Sequence, residues 1–456
     1  MRKKVMIAIK YPLVWLLLFG GCLGLVFVWP ATVGAENSVL LPYTKTVLAN
    51  GLTVVVKEVH ATPLVAVDIW VRAGACNETP EEAGISHFFE HMLFKGTKKR
   101  AVGEIAKAIQ AVGGYSNAAT SLDYTHYYVV VPSEQLSLAL EVETDAIRNS
   151  VFNPTEIERE RQVILEEMSL KQDNPARRLG WLAYQQIFKG TPYAKDVIGT
   201  PESLAGLRRE TFLKYHCQYY VPNNLVVAVV GDVKAAIVIR QLTKLMADFK
   251  PGNLPDVPQV TPPKLDSVVR LVEKMPVDQN YFYLGFPGPG LRGEDTPALT
   301  VLSVILGGGR GSRLYQELRE KRQLVNTVEA GYQTYQQVGM LAVYAEAKQL
   351  TPAEFENQIM GMINNVSAQG VTAAELVRAK AMIHSERAMA AETNIEIAAL
   401  IGEYEIGGNF EDAIQFEAAL QRVTKDDVQR VAKRYLTPQA FVAVAVQPEG
   451  EKRHEK

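Results

Sequence analysis

The strongest constraint on this chain is that its two halves close alike. Residues 210–233, "ETFLKYHCQYYVPNNLVVAVVGDV", end the first half, and residues 426–449, "DDVQRVAKRYLTPQAFVAVAVQPE", end the second. In each, an amphipathic helix leads through Tyr and Pro into a strand of alternating or continuous Val and Ala. Between the halves, "FKPGNLPDVPQVTPPKLD", residues 249–266, carries five prolines and no apolar period, which reads as a linker. A repeat at so long a period implies two similar domains rather than a short-repeat solenoid. They are placed at 36–248 and 267–448, with a charged tail at 449–456.

The order of signals within the first half sets the fold class. Strand patterns at "GLTVVVKEV" (51–59) and "LVAVDIWVRAG" (64–74) precede helices near 84–96 and 102–112. A strand at "YTHYYVVVP" (124–132) follows, then helices over 133–149 and 154–172. Neighbouring strands followed by helix pairs predict an α+β fold, with helices over one face of a largely antiparallel sheet. The second half repeats the order, with strands at "DSVVRLVEK" (266–274) and "NYFYLGFPG" (280–288) and then the apolar "TPALTVLSVILGG" (296–308).

In the first half, the place corresponding to that apolar run holds "GISHFFEHMLFKGT", residues 84–97. On a helix His87 and His91 lie on one face, one turn apart, so two imidazoles can meet one metal ion, with Glu90 beside them. The pattern HxxEH is the inverted counterpart of HExxH, in which the glutamate is a base and not a ligand. A histidine pair on an apolar face can also be ordinary core. With seven histidines in 456 residues, however, HxxEH arises by chance in roughly one such chain in a hundred or fewer.

A catalytic zinc takes three protein ligands and keeps a fourth position open, so a third should be present. The segment "NPTEIERERQVILEEMSLKQ" has a well-marked helix start, with Asn153 as N-cap, Pro154 at the first position and Glu156 at the third. Val163 and Ile164 are expected on its buried side. Glu160 and Glu167 flank them at three- and four-residue spacings, whereas Glu158 and Glu166 point further round. By this phase Glu167 is the third ligand. Glu160, two turns earlier, is placed to hold the free N–H of a ligating histidine.

Composition narrows the remaining classes. With 47% hydrophobic residues and 21% charged, the chain can bury a sizeable core, and a net charge of −2 gives no reason to expect nucleic acid as a partner. Arg2, Lys3, Lys4 and Lys10 precede an uncharged apolar stretch ending in "ATVGA", the pattern of an export signal cleaved after Ala35. The stretch is also long enough to stay uncleaved as an anchor in the inner membrane. Removing residues 1–35 leaves 44 of the 48 Lys+Arg against 50 Asp+Glu, a charge of −6. Cys76 and Cys217 remain without CxxC spacing, so either a disulfide or two free thiols fits.

In these motifs the chain resembles the inverzincin metallopeptidases of the pitrilysin and insulinase superfamily, in particular the shorter branch similar to mitochondrial processing peptidase. "EAGISHFFEHMLFKGT", "GGYSNAATSLDYTHYY", "ERERQVILEEM", "TPYAKDVIGTPESL" and "YYVPNNLVVAVVGDV" match in the family's order, over about residues 42–447. The resemblance implies one Zn2+ per chain, a peptide or unfolded-protein substrate, and two homologous domains that enclose a chamber with a second subunit. The spacing from His87 to Glu167 fits the family's distal glutamate. The implied substrate adds a strand along Asn117, Ala118, Ala119 and Thr120, while His126 stays outside the metal cluster. "GGGRGSRL" (307–314) has no phosphate-loop spacing and corresponds to the family's Gly-rich segment, associated with substrate handling.

The family also carries an arginine and, seven residues later, a tyrosine that reach the substrate. Here Arg319 is present, but Asn326 stands where the tyrosine is expected. That departure suggests the metal-bearing subunit of a homo- or hetero-dimer whose partner supplies the Arg/Tyr pair. The leading function is therefore a zinc endopeptidase outside the cytoplasm, in the periplasm. The alternatives are a non-catalytic assembly subunit or a metal-binding peptide chaperone of the same fold.

Overall fold

A computed structural model describes residues 40–257 and 259–449. The expected export signal and residues 450–456 of the expected tail lie outside the described residues. The first sheet comprises β1 (Thr44–Val47), β2 (Thr53–Glu58), β3 (Leu64–Val71), β4 (Tyr115–Thr120), β5 (Thr125–Pro132) and β6 (Leu225–Gly231). The second comprises β7 (Val269–Met275), β8 (Asn280–Pro289), β9 (Thr327–Thr334), β10 (Val338–Ala347) and β11 (Val442–Pro448).

Their orders are β1-β2-β6-β3-β5-β4 and β7-β11-β8-β10-β9. Setting β1 aside, the second order is the first one repeated. In each sheet the strand that closes the half runs parallel to one neighbour, β2 or β7, and antiparallel to the other, β3 or β8. The fold is thus α+β, built from two homologous halves around largely antiparallel sheets.

One face of each sheet is covered by helices of its own half. In the first half Phe88, Phe89, Leu140, Ile164 and Phe212 pack onto Val67, Ile69 and Val129. In the second, Leu299, Leu302, Ile359 and Val431 pack onto Phe282, Leu284 and Val343. The opposite faces are covered by exchange. Helix Pro175–Ile187 of the first half places Leu179, Ala183 and Ile187 on Val442, Val444 and Val446 of β11. Helix Asn394–Ile406 of the second half places Ile397, Ala398 and Ile401 on Ala66, Ala228 and Val230. Coverage on one face only, the sequence expectation, is therefore extended to both faces. This explains why β6 reads as unbroken Val and Ala, since a strand buried on both faces has no polar side to alternate.

Docking is close where the second of these helices crosses β3. A Cβ added at Gly402 would stand 2.1 Å from Trp70 Nε1, so only glycine lets the helix lie there. At roughly 25 cal/mol per Å² of apolar area, two reciprocal helix faces make separation of the halves costly. Residues 249–257 and 259–266 contain no helix or strand, and Val260 N–H donates to Gln337 Oε1 at 2.7 Å.

Candidate active site

The histidine helix runs from Ile85 to Leu93 and starts at Gly84, whose φ of 89° suits glycine. Its first free N–H groups are satisfied from upstream, as Gly84 and Ser86 each donate to the Glu78 carboxylate at 2.8 Å. Glu78 is buried, and desolvation outweighs these bonds enough to push its pKa up to about 7. Ile85, Phe88, Phe89 and Met92 anchor the helix in the core, which leaves His87, Glu90 and His91 on the side facing the glutamate helix, Pro154–Asp173, and β4.

Three side chains converge there. His87 Nε2 and His91 Nε2 stand 3.7 and 3.8 Å from Glu167 Oε2, and the three donor atoms lie within 4.8 Å of one another. Ligands of a tetrahedral zinc at roughly 2.0–2.1 Å stand about 3.3 Å apart, so small side-chain adjustments suffice. The donor set, two imidazoles and one carboxylate, fits Zn2+. Burial, reinforced by His91 and Lys171, pushes the pKa of His87 down to about 3, which keeps its nitrogen lone pair free at any ordinary pH. Among the described residues this is the one such group of metal-ligating side chains.

The surroundings hold these groups in place. His91 Nδ1 lies 3.2 Å from Glu160 Oε2, which directs the other ring nitrogen at Glu167. Lys95 Nζ holds the remaining oxygen of Glu160 at 2.7 Å. The buried stripe of the glutamate helix is Ile157, Glu160, Ile164 and Met168. Val163, expected to be buried, is 44% exposed, because it lies about 100° round from Ile164. Glu160 and Glu167 nevertheless both face the histidine helix, but only Glu160 is buried there; Glu167, expected on the core-facing stripe, is exposed like Glu158 and Glu166.

Glu90 is partly buried. Desolvation raises its pKa, with the Glu167 charge adding to the shift and the Thr120 hydrogen bond opposing it. Thr120 Oγ1 donates to Glu90 Oε2 at 2.6 Å, leaving Oε1 unheld by that bond. Thr120 ends β4, which among the described residues pairs with β5 alone and so presents an open edge. On this strand Ala118 N–H donates to the Asn117 side-chain oxygen at 2.9 Å. Sequence reasoning passed over Thr120, Lys95 and Glu78 as supports. Thr120 and Lys95 have no local signature, because each acts on a residue distant in the chain, whereas Glu78 stands only six and eight residues before Gly84 and Ser86.

His87, Glu167 and Thr120 line a cleft of about 650 Å³ whose other wall includes Tyr283, Tyr335 and Met340 of the second half. Arg319 is not among its lining residues. Arg319 Nε instead donates to the Asn326 carbonyl at 2.7 Å, Arg319 Nη1 bonds Tyr315 Oη, and Asn326 Nδ2 donates to Gln279 Oε1 at 2.9 Å. Both residues line a separate groove with Gly307, Gly308 and Gly309. The structure therefore gathers His87, His91, Glu167, Glu160 and Glu90 beside the β4 edge but leaves Arg319 elsewhere. His126, bonded to buried Asp68 at 3.0 Å, lies outside the cluster, and Cys76 and Cys217 are free.

Comparison with known proteins follows the same division. The pattern described as Insulinase (Peptidase family M16) matches residues 53–201, and that described as Peptidase M16 inactive domain matches residues 206–383. A protein of Rickettsia bellii named as an uncharacterized zinc protease is 31% identical over 403 residues, covering 87% of this chain and 96% of its own length. One of the same description from Mycobacterium tuberculosis is 30% identical over 427 residues, covering 93% and 97%. The crystal structure of a protease from Helicobacter pylori superposes with a TM-score of 0.84 at 26% identity, over 89% of this chain and all of that one.

Proposed function

The chain belongs to the insulinase family of peptidases, M16, and from that premise we propose that it is a zinc-dependent endopeptidase acting on extended peptides or unfolded protein segments. The observation that carries the reading is the approach of His87, His91 and Glu167 within 4.8 Å, with Glu90 on the same helix. Zinc, when bound, supplies Lewis-acid polarisation of the scissile carbonyl and acidifies water. His87, His91 and Glu167 would hold it.

Glu90 does the proton work. As a carboxylate it can accept a proton from water and then release it to the leaving amine. Thr120 fixes one carboxylate oxygen, so Oε1 is the atom that carries the proton. The open edge of β4 receives the substrate main chain, a mode that binds many sequences through backbone hydrogen bonds. Glu160 and Lys95 keep His91 oriented through the cycle.

The test joins metal analysis to peptide hydrolysis. The purified protein should carry about one zinc per chain, in keeping with a single three-ligand site. Near-normal turnover by metal-loaded Glu90→Gln would overturn the mechanism.

The partner reading rests on Arg319 and Asn326, which lie in a groove separate from the metal cleft. A related subunit bearing an Arg/Tyr pair would supply the missing donors. Adding it should raise turnover on the order of 10²–10³-fold, the typical worth of one such donor. Full activity of the chain alone would remove the need for it. The proposed site of action is outside the cytoplasm, on the strength of the N-terminal segment.

A further inference from the structure

The wall of the metal cleft formed by helix Pro175–Ile187 has a character that the hydrolytic machinery does not require. Arg177, Trp181 and Tyr184, at spacings of four and three, line it as one face of that helix. Lys171 lines it from the glutamate helix, one turn beyond Glu167, and Lys195 lines it from the segment after the helix. Three cations thus share a cleft whose lining acids are Glu167 and Asp196.

The acids are already committed. Glu167 belongs to the metal cluster. Asp196 Oδ1 accepts from Lys171 at 2.5 Å, and the Lys171 ammonium also stands 5.5 Å over the Trp181 ring. Lys195 donates to the carbonyl oxygens of Cys76 and Glu78, which are uncharged, while the Glu78 carboxylate is turned to the start of the histidine helix. Among the described residues the Arg177 guanidinium has no ion-pair or hydrogen-bond partner, and Arg177 is exposed. Positive charge is left over, on an aromatic wall, beside the ligands.

We infer that this wall is a specificity subsite for a carboxylate of the peptide substrate, with Arg177 as the residue that selects it. The inference rests on the peptidase reading and adds a substrate class to it: peptides carrying an acidic side chain, or their own C-terminal carboxylate, close to the scissile bond. Scale sets how close. An extended peptide advances about 3.3 Å per residue, and Arg177 lines the same cleft as His87 and Glu167, so it meets the substrate within a few residues of the bond cut. Guanidinium suits the task because its fork pairs a carboxylate through two parallel hydrogen bonds. Trp181 and Tyr184 shield that pair from water on one side, which reduces screening.

The experiment uses short N-acetylated, C-amidated peptides, identical except for a single Glu, Gln or Lys moved through each position. A second arm leaves the C-terminus of the Gln peptides free. Wild-type protein should cleave the Glu peptide with a kcat/KM roughly tenfold above its Gln twin at one position within a few residues of the cut, and the advantage should shrink as salt is raised. A gain confined to the free-terminus arm would identify the main-chain carboxylate as the group recognised. Arg177→Gln should bring the Glu/Gln ratio close to one, and Arg177→Glu should transfer the preference to Lys. A transferred preference means faster cleavage of one substrate, which misfolding cannot produce.

Equal rates for the Glu, Gln and free-terminus peptides at every position, or a Glu preference that survives in Arg177→Gln, would overturn the inference and leave the peptidase reading intact. Binding of the same peptides to metal-loaded Glu90→Gln protein separates the two readings. If no peptide is cut by wild type or bound by Glu90→Gln, the peptidase reading falls and this inference falls with it.

Discussion

Two helices at equivalent places in the repeat divide the protein's labour. Ile85–Leu93 and Thr296–Gly307 each follow the second long strand of their half and precede its edge strand. In the second, every residue but Thr300 is buried and the side chains are almost all aliphatic, so the helix is pure core. In the first, His87, Glu90 and His91, all titratable, share the helix with the core residues.

The acids around the two helices differ in the same sense. Asp295, at the start of the apolar helix, is met by Arg430 at 2.6 Å, Arg434 at 3.0 Å and the Tyr435 hydroxyl at 2.8 Å. The first half instead buries Glu78 without a cation hydrogen-bonded to its carboxylate, held by Gly84 and Ser86, and among the described residues Glu143 has no hydrogen-bond partner on either oxygen. Duplication supplied two similar frames. One copy carries the candidate site and the less well-paired buried acids, and the other packs on it through its exchanged helix.

The largest effect that tests this contrast is on turnover. Glu90→Gln should retain metal and lose about 10²–10⁴ in kcat, the usual worth of general acid–base catalysis. His87→Ala, His91→Ala or Glu167→Gln should lower zinc occupancy, read by elemental analysis. Chelation should abolish activity, with recovery on adding zinc. Full metal retention in Glu167→Gln, with loss in Glu166→Gln, would show that the other carboxylate is the ligand.

The next effect is on stability as a function of pH. Burial pushes the Glu143 pKa from 4.5 up to about 8. A group raised in the folded state contributes fully below its unfolded value and loses that contribution as pH rises through the folded one. Wild type should therefore lose stability between about pH 4.5 and 8 relative to Glu143→Gln, by a few kcal/mol at most. Thermal melts that stay parallel across this window would show that Glu143 is not the source.

A smaller effect belongs to the second half. Asp295→Asn should cost about 1–3 kcal/mol, the range for weakening a buried, charge-assisted network, while sparing zinc content and kcat. A drop in kcat at full zinc occupancy would show that the second half reaches into the chemistry and is more than a frame.

The smallest effect concerns Lys95. Lys95→Met should leave zinc occupancy near one at saturating metal yet weaken affinity by roughly tenfold, the lower end for partners that orient a ligand. Zinc titration against a chelator reads it, and an unchanged affinity would mean that Glu160 needs no counter-charge.

What the sequence determined by itself is whatever repeats at a fixed period. A four-residue spacing puts His87 and His91 on one helix face, and a seven-residue spacing puts Glu160 and Glu167 on another, wherever those helices lie. The matching ends of the two halves likewise implied the repeated strand order now seen in the two sheets. Val163 was misjudged because adjacent helical positions differ by about 100°, and only packing says which of two apolar neighbours faces in.

Tertiary structure alone decided the pairings between residues far apart in the chain. Thr120 on Glu90, Lys95 on Glu160, and the exchange of Pro175–Ile187 for Asn394–Ile406 all depend on which surfaces the collapsed chain brings together. The separation of Arg319 from the metal cleft is of this kind too. Backbone geometry sets local periodicity, whereas long-range contacts are chosen by competition among many apolar faces for the same core.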